Sequence, residues 1–114
     1  MTFLAILKMS AAVFTIAFGL YSVIRPRAIK SFTGLDVTGP RGVTEVRAVM
    51  GGTFVGLGLA PLLLAVPTAY QTLGIAYFVI AAVRIVSMFM DKSVMSSNLI
   101  SVVSELILGI ILVL

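Results

Sequence analysis

Four long apolar runs fill most of this chain, and the charges that interrupt them are few enough to name one by one. Residues are 61% hydrophobic and 11% charged, whereas a typical soluble domain is about 25% charged. Too little polar surface is left to cover a globule in water, so the surroundings of most of the chain must be lipid. A hydrocarbon core about 30 Å thick takes about 20 apolar residues to cross as a helix, and four such spans use nearly all of the sequence. The expected architecture is all-α: a four-helix transmembrane bundle forming a single membrane domain over residues 1–114.

The spans are expected at about 3–24, 41–66, 70–90 and 97–114. The first is stopped by Arg25-Pro26-Arg27. A signal peptide carries its positive charge before the apolar run; this segment has the opposite polarity and reads as a retained helix. In the connection from Arg25 to Arg41, residues 26–32 suit one or two helical turns along the membrane, with Ile29 and Phe32 inward and Arg27 and Lys30 at lipid phosphates. An irregular loop is the alternative. Pro40 suits a first helical turn, and Pro61 allows a kink or an early end near Ala60. Val66-Pro67-Thr68-Ala69 makes a short uncharged turn, and Asp91-Lys92 closes the third span.

Orientation follows from where Lys and Arg lie beside the spans. The first connection holds Arg25, Arg27, Lys30 and Arg41, the candidate lipid-headgroup contacts, and the third holds Lys92. The opposite face has only the amino terminus, Lys8 and an uncharged turn, and Lys8 can snorkel outward as an anchor. Both charged connections are therefore expected in the cytoplasm, with both termini on the outer side. Tyr21 and Tyr70 fall near opposite interfaces, as an aromatic belt requires. The net charge of +4 and pI of about 10.0 are explained by this topology, and nucleic-acid binding is not supported.

Lipid gives no hydrophobic reward for helix association, so tight contact depends on small residues and interhelical polar groups. The first span carries Ala12, Thr15, Gly19 and Ser22 at helical spacing. The third carries Gly74, Tyr77, Ala81, Arg84, Met88 and Asp91, and the fourth Asn98, Ser101, Glu105 and Gly109. In the second, Arg47, Gly51 and Gly58 share one face of a regular helix, while Glu45, Gly52 and Gly56 share another. Two small faces imply two neighbours and a central position.

Four ionisable residues fall within spans: Glu45, Arg47, Arg84 and Glu105. Each charge near a helix centre costs roughly 2.5–3.5 kcal/mol on insertion scales, so partners are expected. All four lie in the same half of the membrane, where they could form one cluster. The preferred pairing is Arg84 with Glu105, with Arg47 at the same carboxylate or one nearby; Glu45 reaches Arg84 or snorkels toward Arg41. Two acids balanced by two bases need no ligand, which favours a structural network over an anion-binding cavity.

The run Gly42-x-x-Glu45-x-Arg47-x-x-x-Gly51-Gly52, continued by Gly56-x-Gly58, resembles a family of small bacterial four-helix membrane proteins, domain-of-unknown-function family 4345. Arg84 with Ser87 and Asp91 is similar to its third-helix signature, and Glu105-Leu106 with Gly109 to its fourth. The resemblance covers about Leu20 to the end. It implies the four-helix fold and a bacterial inner (cytoplasmic) membrane, and no established biochemical function. Members often have an aromatic before the glycine pair; Met50 stands there here, so a ligand contact built on that aromatic does not carry over.

Without Cys or His, thiol chemistry, disulfides and the common ligands of zinc, haem and copper are absent, and neither a metal nor a cofactor is expected. Lipid, quinone or carotenoid against the apolar faces stays open. No Gly-rich phosphate loop or hydroxyl beside a base suggests an enzyme; Ser101 and Ser104 beside Glu105 suit bonding to their own backbone. The favoured function is a non-catalytic accessory or assembly subunit of a larger membrane complex. It would meet other membrane protein subunits through the outer faces of the first, third or fourth span. The alternative is a small transporter or binding protein for an anionic solute or lipid headgroup, using Arg47 and Arg84 with Glu105 as a coupling carboxylate. Small multidrug exporters have similar length but keep their essential acid in the first helix, where this chain has none.

Overall fold

A computed structural model describes residues 2–114. Four helices are long and apolar enough to cross a membrane, which suggests a multi-pass membrane protein: α1 (Phe3–Ile24), α3 (Gly39–Leu64), α4 (Pro67–Met90) and α5 (Ser96–Val113). A short helix, α2 (Lys30–Thr33), lies in the connection between the first two. No strand is present among the described residues.

Local chemistry sets the helix ends. Thr2 caps α1, its hydroxyl accepting from the Ala5 amide at 3.1 Å in place of an intrahelical partner. Gly34, at φ 73°, ends α2 in the left-handed conformation that glycine adopts without strain. α3 runs past Pro61 to Leu64, so the early end near Ala60 does not occur. The proline removes one amide, but the Ala65 amide still bonds to the Pro61 carbonyl at 3.0 Å. Pro67 then opens α4, three residues before the expected start, with Val66 extended in front of it as a residue preceding proline prefers.

Within α3, Val46–Gly51 is π-helical. The Gly52 amide reaches the Arg47 carbonyl, five residues back. Such a turn holds one residue more than an α turn, so everything before it is rotated by roughly 100° relative to a regular helix.

The bundle is two antiparallel hairpins, α1 with α3 and α4 with α5, packed along their length. The hairpins meet more lightly, α3 against α4 and α1 against α5. The envelope of 44 × 31 × 17 Å is accordingly flattened. Ala11, Leu73, Tyr77 and Leu112 form a core at the end away from the charged connections, with Leu57, Tyr70 and Leu108 against it. All four long helices contribute to that core. At the basic end a second cluster joins Ile29, Val37 and Val46, flanked by Val43 and Met50.

The α1–α3 connection thus folds onto the bundle. Ile29 is fully buried, as expected, while Phe32 stays 44% exposed. The Phe32 ring still lies 5.9 Å from Phe18 and 5.7 Å from Tyr21, and Phe18 meets Phe54 edge-on at 5.1 Å. Arg27 donates to the Val37 carbonyl at 3.0 Å, and Lys30 pairs with Asp36 at 3.2 Å. These two side chains therefore have partners within the connection itself.

The glycines divide into two kinds. A Cβ at Gly19 would sit 2.7 Å from the Gly51 carbonyl oxygen and the Val55 nitrogen, and one at Gly58 would sit 2.7 Å from the Ala12 carbonyl oxygen. At Gly74 it would meet the Gly109 carbonyl at 3.0 Å, and at Gly109 the Phe78 ring at 2.8 Å. Backbones approach here as only glycine permits. Around Gly52 and Gly56 nothing lies within 4 Å of a Cβ. α3 does touch two neighbours, but the Gly52 and Gly56 face touches neither.

Gly19→Ala is expected to lower stability by about 1–3 kcal/mol, because the intruding methyl meets backbone that must move. Gly52→Ala is expected to be neutral or to stabilise by up to about 1 kcal/mol, through helix propensity alone. Thermal unfolding of both variants in mild detergent separates the two; equal losses would refute the close-approach account.

Candidate functional site: a polar ladder and two unfilled surfaces

The third and fourth stripes meet along the α4–α5 hairpin. Gly74, Tyr77, Ala81 and Met88 of α4 are buried, as are Glu105 and Gly109 of α5. On α1, Ala12, Thr15, Gly19 and Ser22 are all buried. On α1, α4 and α5 the small and polar faces read from the sequence are therefore the faces that pack, except that Asp91, at the end of the α4 stripe, is exposed.

Arg84 and Glu105 lie on facing sides of the hairpin. Arg84 Nε donates to both Glu105 oxygens, at 2.9 Å and 3.2 Å, and Nη2 donates to Oε2 at 2.8 Å. This forked, charge-assisted geometry is the strong form of the interaction. Arg84 Nη1 donates to Asn98 Oδ1 at 3.2 Å, and Asn98 Nδ2 donates to the Ser93 carbonyl at 2.9 Å. One chain of bonds thus runs from Glu105 to the connection between α4 and α5.

Toward the middle of the bundle, the Thr15 hydroxyl donates to the Ala11 carbonyl at 2.8 Å. Its single proton is then used, so the Tyr77 hydroxyl, hydrogen-bonded to Thr15 Oγ1, is the donor. This contact ties α1 to α4 across the two hairpins. Thr15 and Tyr77 both stood on expected packing stripes, but no sequence argument paired them. The available signal was two polar groups on stripes near the middle of their spans. Among the described residues, no fully buried side-chain nitrogen or oxygen lacks a partner.

The four ionisable residues within the long apolar helices do not form one cluster. Arg84 and Glu105 come together. Glu45 pairs instead with Arg41, Nη1 to Oε1 at 2.6 Å, the second of its expected options. Arg47 makes no ion pair or side-chain hydrogen bond among the described residues and is exposed. The π turn explains this. On a regular helix Arg47 would share the buried face of Gly51 and Gly58, and the extra residue swings it off that face while Val46 takes the buried place. Glu45 is likewise turned away from Gly52 and Gly56.

Two outward features remain on α3. One is the bare face of Ala48, Gly52, Gly56 and Leu59, all exposed, with Arg47 at its flank. The other is a groove of about 420 Å³ between α3 and the connection, lined by Leu35, Glu45, Val46, Val49, Met50, Thr53 and Phe54. No group of His, Cys, Asp and Glu able to hold a metal occurs among the described residues.

Opening the Arg84–Glu105 pair from one side strands a charge in a low-dielectric setting. Glu105→Leu or Arg84→Met is expected to cost about 3–5 kcal/mol, and the double replacement less than either. Unfolding midpoints of the three variants in mild detergent test this; a double variant as unstable as the sum of the singles would show that stranded charge is not the cause.

The family model described as "Domain of unknown function (DUF4345)" matches residues 3–114, essentially the whole chain. No curated protein matches, and no solved structure matches.

Proposed function

The chain belongs to the DUF4345 family, and we propose that it is a non-catalytic accessory or assembly subunit of a larger membrane complex. In this reading it lies in the bacterial inner membrane. Both termini face outward, and the basic connections lie in the cytoplasm where Lys and Arg accumulate.

One observation carries the proposal. Gly52 and Gly56 have open space, whereas Gly19, Gly51, Gly58, Gly74 and Gly109, the other glycines deep within the spans, each have a neighbour closer than 3 Å to where a Cβ would stand. Glycine in a helix interior is less favourable than alanine by about 1 kcal/mol, and nothing within the chain repays that cost at these two positions. Glycines four apart suit close approach by another helix. Arg47 beside them supports the same reading, since an unpaired cation at about 12 Å along a span is a functional candidate by default. The partner surface thus moves from the first, third or fourth span, where the sequence put it, to α3.

The anion-transport alternative has less support. Arg84 commits Nε, Nη1 and Nη2 to Glu105 and Asn98, and Arg47 does not join it. A catalytic reading has no nucleophile beside a base to build on.

Affinity capture from native membranes in mild detergent, with stoichiometry by mass spectrometry, is expected to recover the chain at a fixed ratio with larger membrane subunits. Gly56→Leu should fold as wild type and lose those partners roughly tenfold or more. Recovery of the wild-type chain alone, or unchanged partners with Gly56→Leu, would defeat the proposal.

A further inference from the structure

Next to the Gly52 and Gly56 face of α3, the groove beside the connection has chemistry of its own. Its walls are Leu35, Val46, Val49, Met50, Thr53 and Phe54, and the only charged residue lining it is Glu45. Glu45 Oε1 is held by Arg41 at 2.6 Å, whereas Oε2 has no partner among the described residues. The two side chains are 49% and 81% exposed, so both keep hydrogen-bonding capacity for a ligand. Asp36, the other carboxylate in the connection, is engaged by Lys30.

This arrangement selects by charge. A simple anion at Arg41 meets the Glu45 carboxylate, and a simple cation at Glu45 meets the Arg41 guanidinium. A headgroup carrying both signs satisfies both. The apolar walls below suit an acyl chain, which a small soluble zwitterion lacks. The free Oε2 accepts a hydrogen bond, and a primary ammonium can donate one where a trimethylammonium cannot. We infer that the groove between α3 and the α1–α3 connection binds one zwitterionic phospholipid with a primary amine, its ammonium on Glu45 and its phosphate on Arg41.

This site borders the proposed partner face, Thr53 being three residues from Gly56, but it rests on Glu45 and Arg41 and not on Gly52 or Gly56. Failure of either idea leaves the other standing.

Native mass spectrometry of the purified chain, with equal added amounts of phosphatidylethanolamine, phosphatidylcholine and phosphatidylglycerol of identical acyl chains, tests the inference. One phosphatidylethanolamine per chain should be retained about tenfold more tightly than phosphatidylcholine, the worth of one charge-assisted hydrogen bond. Glu45→Gln, an exposed substitution, should erase that preference while the helical circular dichroism is unchanged. Val49→Trp, which fills the groove, should reduce retention of the bound lipid whatever its headgroup. Equal retention of the two zwitterions, a preference for phosphatidylglycerol, or a preference that survives Glu45→Gln would each overturn the site.

Discussion

The close approach of α1 and α3 through Gly19, Gly51 and Gly58 is the contact on which the rest of the structure depends. Helices as apolar as these gain little from hiding apolar side chains in one another when the surroundings are also apolar. Cohesion must come from backbones near enough for dense van der Waals contact. A carbonyl oxygen 2.7 Å from where a methyl would stand shows that no larger residue fits. The same device recurs at Gly74 and Gly109 in the other hairpin. Each hairpin is thus a tightly seamed unit, and the two units meet at one end, Ala11 and Leu57 of one joining Leu73, Tyr77 and Leu112 of the other.

Polar groups then fix register where dispersion alone would allow sliding. The Arg84–Glu105 fork sets the α4–α5 hairpin, and Asn98 extends it to the connection. The Thr15–Tyr77 hydrogen bond sets one hairpin against the other. Interhelical hydrogen bonds in such settings average only about 0.6 kcal/mol, so their role is specificity more than strength. The π turn in α3 works in the opposite sense. By rotating Arg47 outward and Val46 inward, it closes the seam to the connection and leaves a cation on the surface.

Much of this was legible in the sequence because a helix repeats. Small and polar residues at 3.6-residue spacing named the buried faces of α1, α4 and α5, and hairpin geometry placed Arg84 opposite Glu105. Where the repeat was broken, the reading failed with it. A π turn has no signature in Val46–Gly51 that separates it from an α turn, so Arg47 was placed with Gly51 and Gly58, one residue, or roughly 100°, away from where it lies. Two pairs of glycines, both at helical spacing, also hid a difference: Gly51 and Gly58 touch α1, whereas at Gly52 and Gly56 nothing among the described residues lies within 4 Å of a Cβ. Which of two small faces is used depends on a neighbour's position, and that is a tertiary fact.

The central claim is that the Gly52 and Gly56 face of α3 is covered by another protein in the native membrane. The sequence holds no Cys, so a single cysteine can carry a photoreactive maleimide at a chosen surface position. Leu59→Cys lies on that face, and Val83→Cys lies on an exposed face of α4. Irradiation of native membranes should give a discrete adduct of one larger membrane protein from position 59 and none from position 83. No protein adduct from position 59, an adduct no heavier than two copies of the chain, or the same adducts from both positions would contradict the account.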